Sequence, residues 1–167
     1  IMPRILGNHL THEESYRLGM IKESVFRDLY KDEIKPIEGA VGWLEKLKFA
    51  GLKIGLGTAA DFTNADFTVD AIHIRHFFDT IVTSDIVKEG KPSPAVYLKV
   101  ADNLGVDPAN CLVFEDTTSG IRSALAAGMK VIGITTGLSA AEINKLPVSM
   151  VIDDYVGMTL EKARSLF

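Results

Sequence analysis

The chain has 167 residues, 47% of them hydrophobic and 24% charged, which fits one main globular domain with at most a small appendage. A formal net charge of −4, with Lys and Arg scattered in ones and twos, leaves no basic stripe for nucleic acid or an anionic membrane, and neither partner is expected. No run approaches the length of a membrane span and the N-terminus has no basic or apolar leader region, so a cytoplasmic protein is expected, a monomer with a dimer left open.

Residues 11–34 are predicted as one long amphipathic helix. Leu18, Ile21, Val25, Phe26 and Leu29 recur at helical spacing, and Thr11 followed by Glu13 and Glu14 offers an N-cap with first-turn acids. Pro36 and Gly39 break that pattern. Residues 40–49 resume it with Val41, Leu44 and Leu47 on one face, and Gly51 signals the helix C-terminus. Strands are then predicted at 53–57, 80–83, 111–114, 130–134 and 150–152, with helices after Asp61 and at 94–103, 120–127, 140–146 and 158–166.

Short β-rich runs alternating with helices predict a parallel sheet covered on both faces, a Rossmann-like α/β fold. The one boundary expected lies near residues 35–39, where a helical piece, 1–35, hands over to an α/β piece, 36–167. The single cysteine, Cys111, opens an apolar run. It can form no intrachain disulfide and is expected to be a buried, inert thiol.

In an open parallel sheet, ligands bind beyond the carboxyl ends of the strands, so the residues just after each strand are the candidates for chemistry. Thr58 closes the first strand, where its hydroxyl and the N–H groups of Ala59 and its neighbour can meet an anion. The alternative for Thr58 is a helix cap. Lys91 lies in Gly90-Lys91-Pro92-Ser93-Pro94, a stiff stretch that presents an ammonium suited to a phosphoryl group or a carboxylate. Glu115 and Asp116 follow four apolar strand residues. Adjacent acids there repel unless they share a cation, and hard oxygens at a hydrated site suit Mg²⁺, with Asp116 the better direct ligand.

Other motifs carry less. Asp153 and Asp154 are expected to cap the last helix, and His73 and His76 to lie on a helix surface; none of the four histidines, His9 and His12 included, has metal-ligand spacing. There is no Gly-x-Ser-x-Gly elbow and no Gly-rich nucleotide loop, which weighs against serine hydrolases and dinucleotide enzymes.

The order of these features is itself a pattern. A strand ending in Thr58 is followed by Gly90-Lys91-Pro92-x-Pro94, then by Val113-Phe114-Glu115-Asp116-x-x-x-Gly120-Ile121 and Ala126-Ala127-Gly128-Met129. From about Lys22 to its C-terminus the chain resembles the haloacid dehalogenase superfamily, and within it the β-phosphoglucomutase-like phosphatases with a helical cap. The resemblance implies that Thr58, with Ala59, binds the transferring phosphoryl group. It implies that Lys91 neutralises that group and the nucleophile, and that Asp116 with Glu115 holds Mg²⁺. Residues 1–35 would be the later part of a cap that closes over a small phosphorylated metabolite. Ala95 stands where relatives commonly have Asp, and Thr117 where they commonly have Ser.

One departure is larger. The family's nucleophile and its acid/base partner come from an Asp-x-Asp on the first strand, and this sequence contains no Asp-x-Asp. The α/β piece is therefore expected to lack that strand, which in the family lies between the Thr58 strand and the Cys111 strand. Taken with Ile1 at the start, this favours a chain whose N-terminal segment is missing and which is inactive alone. The alternative is a non-catalytic phospho-ligand-binding pseudo-enzyme. True dehalogenation is disfavoured, because displacing halide from carbon needs no Mg²⁺ site.

Overall fold

The structure is a computed structural model that describes residues 10–167; the expected helical piece therefore extends, over residues 1–9, outside the described residues, as does His9. Helix α1 (His12–Tyr30) opens with a complete capping box, Thr11 and Glu14 each satisfying the other's backbone N–H. It ends at Tyr30, and residues 31–33 form a turn rather than the last helical turn the sequence predicts. Helix α2 (Ala40–Phe49) begins after Gly39, whose φ of 75° suits glycine.

The remaining elements alternate as predicted: β1 (Gly55–Gly57), α3 (Phe62–Ala71), β2 (Thr80–Val82), α4 (Ala95–Leu104), β3 (Leu112–Glu115), α5 (Thr118–Ala126), β4 (Lys130–Ile134), α6 (Ala140–Ile143), β5 (Met150–Ile152) and α7 (Leu160–Arg164). Helix α5 starts two residues before the predicted Gly120, because the Thr117 hydroxyl accepts the Gly120 N–H and caps the turn earlier. His73 lies just past α3 at a φ of 55° and His76 in a short 3₁₀ turn; both are exposed, but neither sits on a regular α-helix as expected.

Among the described residues every strand pair is parallel, and the strands form two sheets rather than one: β1 pairs with β2, and β3, β4 and β5 pair in that order. No ladder joins β1 to β3. Parallel ladders use the backbone groups of alternate residues on each side. Thr58 N donates to Val82 O and Asp79 N to Ile54 O, which turns residues 54, 56 and 58 toward β2 and leaves the groups of Gly55 and Gly57 on the opposite edge. Lys130 N donates to Cys111 O, so by the same alternation Leu112 and Phe114 present the edge of β3 that points away from β4.

Side chains alternate across the strands and build a core on each face. Val113, Val131 and Val151 join a cluster with Val82, Val96, Tyr97, Val100 and Ile121 from β2, α4 and α5. Leu112, Phe114, Ile132, Met150 and Ile152 pack on the other face with Trp43 and Met158. Helix α4 spans both sheets. Gly55 and Gly57 of β1 lie so near Val100 and Tyr97 that side chains there would collide or crowd, while Val96, Val100 and Ala101 belong to the same cluster as Val113 of β3.

Helix α1 attaches differently from its sequence. Its Ile21, Val25 and Leu29 are exposed among the described residues, and the contact with α3 runs through polar groups instead. Arg27 Nη1 donates to Asn64 Oδ1 at 2.6 Å, and Asn64 Nδ2 donates to Glu23 Oε2 at 2.6 Å. No helix among the described residues is long and apolar enough to cross a membrane.

Candidate active site

The carboxyl ends of β1 and β3 meet at one side chain. Lys91, on the loop before α4, directs its Nζ to the carbonyl oxygen of Gly57 at 3.1 Å, to the Tyr97 hydroxyl at 2.9 Å, and to Glu115 Oε1. The Lys91 and Glu115 side chains are each 8% exposed, so this is an ion pair withdrawn from water, where removing either partner strands a charge. Pro92 and Pro94 hold the loop, and the Lys91 Nζ lies 4.6 Å from the centroid of the Tyr97 ring.

Glu115 is saturated with donors. Its Oε1 accepts from Lys91 and from the Tyr97 hydroxyl at 2.6 Å; its Oε2 accepts from Asp116 N at 3.1 Å, Thr117 N at 3.3 Å and Thr117 Oγ1 at 3.0 Å. Burial pushes the Glu115 carboxyl up, but the Lys91 charge and the hydrogen bonds from Lys91, Tyr97 and Thr117 outweigh it and hold it below the usual carboxylate range. Gly120 makes the arrangement possible, because a Cβ at that position would occupy the space of the Glu115 carboxyl group.

Asp116 points elsewhere. Its Oδ2 accepts from Thr136 Oγ1 at 3.0 Å, and a Cβ on Gly137 would stand 2.7 Å from its carbonyl oxygen and 3.0 Å from Oδ2. The loop after β4 thus closes over Asp116, and the two acids that the sequence treats as a pair have separate surroundings.

Thr58 follows Gly57 directly. Its N–H is spent on Val82 O, its Oγ1 accepts from Ala60 N at 3.0 Å, and Ala59 is exposed between them. The Thr58 hydroxyl therefore caps its own turn and keeps its proton to donate; the cap and the anion roles are compatible. Asp61 caps α3, accepting from Asn64 N at 2.9 Å.

The structure brings Lys91 and Glu115 into contact, places Thr58 one residue from the Gly57 carbonyl that Lys91 holds, and sets Asp116 beside them. Asp153 and Asp154 stay outside: Asp153 Oδ1 accepts from Thr135 Oγ1 at 2.6 Å and Asp154 Oδ1 from Val156 N at 2.7 Å. Helix α7 is capped by Thr159 instead. Cys111 is half-buried, its thiol pushed up by burial and by the nearby Asp107 charge, which agrees with an unreactive cysteine.

Three contributing residues escaped the sequence reading. Thr136 and Gly137 follow β4 and fall under the same strand-end rule that selected Thr58 and Asp116. Tyr97 lies on the inner face of α4, where a buried phenol requires a partner, but the identity of that partner is not local to the sequence.

A family model described as haloacid dehalogenase-like hydrolase matches residues 6–134. The Bacillus subtilis protein YhcW is 35% identical over 150 residues, covering 90% of this chain; the chain spans 63% of that relative's length. A crystal structure of an Entamoeba histolytica HAD hydrolase of family IA, variant 3, superposes with a TM-score of 0.91 at 32% identity, over 99% of this chain and 76% of that one. A β-phosphoglucomutase from Clostridium difficile superposes with a TM-score of 0.86 at 28% identity, over 99% of this chain and 74% of that one.

Proposed function

Because the chain belongs to the haloacid dehalogenase-like hydrolase family, we propose that it supplies the phosphate-handling half of a Mg²⁺-dependent phosphoryl-transfer site, phosphatase or β-phosphoglucomutase-like phosphomutase, acting on a small phosphorylated metabolite. The observation that carries this reading is the position of Lys91, a buried ammonium fixed between Gly57 O on β1 and Glu115 on β3.

An ammonium held there neutralises charge on a transferring phosphoryl group without needing to reorganise as the reaction proceeds. Thr58 donates its hydroxyl to a phosphoryl oxygen, and Ala59, an exposed residue beside it, offers its N–H for a second contact. The site is suited to Mg²⁺ on the chemistry of its donors. No three His, Cys, Asp or Glu side chains cluster as a metal site among the described residues, but Mg²⁺ keeps several waters and needs only one or two protein carboxylates beside substrate oxygens. Asp116, with a single side-chain donor on it, is the freer of the two acids. Glu115, engaged by Lys91, Tyr97 and Thr117, serves chiefly to hold the lysine. When bound, Mg²⁺ supplies charge stabilisation to the phosphoryl oxygens.

The nucleophile belongs between the two sheets. Gly55 and Gly57 of β1, and Leu112 and Phe114 of β3, carry the edges left unused by their ladders, and one parallel strand would satisfy both. Unpaired backbone groups in such a position cost about 1–3 kcal/mol each once buried. An Asp-x-Asp at the carboxyl end of that strand would stand beside the Lys91 ammonium, where a carboxylate can attack phosphorus in line.

The test is a panel of phosphorylated metabolites assayed with the full-length polypeptide, with and without Mg²⁺, beside Asp116→Ala. Phosphate release that depends on Mg²⁺ and falls at least a hundredfold in the variant is expected; activity that survives both metal removal and the substitution refutes the assignment. Residues 1–167 alone are expected to leave p-nitrophenyl phosphate unhydrolysed, and appreciable turnover by the pure isolated chain would overturn the placement of the nucleophile outside it.

A further inference from the structure

Tyr97 touches every element of the Lys91 arrangement. It is 6% exposed on α4. Its hydroxyl lies 2.6 Å from Glu115 Oε1 and 2.9 Å from Lys91 Nζ, its ring faces the ammonium, and the ring edge lies so near Gly57 that a Cβ there would be 3.3 Å from Tyr97 Cε1. Burial, and then the adjacent Glu115 charge, push the phenol above its ordinary range. It is neutral, and it has one proton to give and lone pairs to accept.

The bonding can be counted. A lysine ammonium has three N–H groups, and three acceptors surround this one: Gly57 O, Glu115 Oε1 and Tyr97 OH. The phenol proton goes to Glu115 Oε1, the one acceptor in reach. Lysine is a compact charge on a flexible four-carbon stem, so a single acceptor would not fix its height above the strand ends; three acceptors from β1, β3 and α4 do. Removing the Tyr97 oxygen takes one acceptor from Lys91 and one donor from Glu115 at once.

We propose that Tyr97 is a positioning residue that fixes the Lys91 ammonium above the carboxyl ends of β1 and β3, acting through its hydroxyl and through Glu115. The assignment rests on the phosphoryl-transfer reading for its consequence in catalysis, but its structural core can be tested without turnover.

Full-length wild type, Tyr97→Phe and Lys91→Ala are compared in two measurements. One is p-nitrophenyl phosphate hydrolysis with Mg²⁺. The other is the rate at which trinitrobenzenesulfonate labels Lys91, read by peptide mass spectrometry. Tyr97→Phe should lower kcat at least tenfold with less than a twofold change in KM, and should raise Lys91 labelling at least threefold. A tyrosine that merely fills the core would alter the melting temperature and neither of these. Wild-type kcat together with wild-type labelling in Tyr97→Phe overturns the proposal. If Lys91→Ala keeps full turnover, the phosphoryl-transfer reading fails instead, and the labelling rate alone then decides the role of Tyr97. Should Tyr97→Phe fail to fold, 4-fluorophenylalanine at position 97 keeps the ring and fills the place of the hydroxyl with a fluorine that cannot donate and scarcely accepts; unchanged kcat and labelling there would overturn the proposal equally.

Discussion

The Lys91 ammonium donates to the carbonyl oxygen of Gly57 at 3.1 Å and to the Glu115 carboxylate, so one buried charge ties the end of β1 to the end of β3, two strands that no ladder joins. The connection has structural as well as chemical weight. Breaking a buried ion pair by removing one partner costs about 3–5 kcal/mol, chiefly because the other charge is left uncompensated, whereas replacing both with apolar groups is often neutral. Lys91→Met should therefore lower the urea unfolding free energy by about that amount, and adding Glu115→Leu should restore a large part of it. A double variant no more stable than Lys91→Met would show that the stranded Glu115 charge is not the cause.

Glycines in this chain divide by what stands next to them, and the same substitution should have opposite signs at two of them. Gly120 lies in the first turn of α5, where Ala would raise helix propensity by about 1 kcal/mol. A Cβ there overlaps the Glu115 carboxyl group, and forcing atoms into a packed site costs about 1–3 kcal/mol. The overlap should win: Gly120→Ala is expected to destabilise the protein and, by displacing Glu115, to impair Lys91 as well. Gly42, in α2, has nothing within 4 Å of an added Cβ, so Gly42→Ala should stabilise by up to about 1 kcal/mol. Thermal unfolding of both variants checks the pair; a stabilised Gly120→Ala would contradict the placement of the Glu115 carboxyl group.

Much of this architecture was legible because its signals are local. Gly51, past the end of α2, has a positive φ, as a helix C-terminal glycine should, and Lys91 and Glu115, singled out at the strand ends, do meet in space. What the sequence could not supply were relationships across the fold. Adjacent Glu115 and Asp116 look like a shared metal pair in one dimension. In three, Glu115 turns toward α4 and Asp116 toward the loop after β4. The apolar stripe of α1 marks an amphipathic helix, yet its described contact with α3 is the amide of Asn64 held between Arg27 and Glu23, a polar arrangement that periodicity cannot encode. The division into two sheets was readable only through the absence of an Asp-x-Asp, a feature that composition and pattern do not reveal on their own.

Tyr155 links the site to alkaline stability. Its ring packs on Phe114 with centroids 5.3 Å apart, and its phenol is pushed up to about 12 by burial and then by the negative charges of Asp116 and Glu115, from an ordinary value of 10.0. A phenol whose value is raised on folding keeps its full contribution to stability below the unfolded value and loses it as pH rises toward the folded one, because the unfolded chain releases the proton first. The contribution of Tyr155 is thus complete below pH 10 and disappears between pH 10 and about 12, at a slope of about 1.4 kcal/mol per pH unit. Tyr97, also raised, has the same sign, so wild type alone would not separate the two. Urea midpoints of wild type and Tyr155→Phe across this range do: the stability of wild type relative to the variant should be constant below pH 10 and decline above it. Parallel curves through pH 12 would mean that Tyr155 ionises as freely in the folded protein as in the unfolded chain, and that the acids at the end of β3 do not reach it.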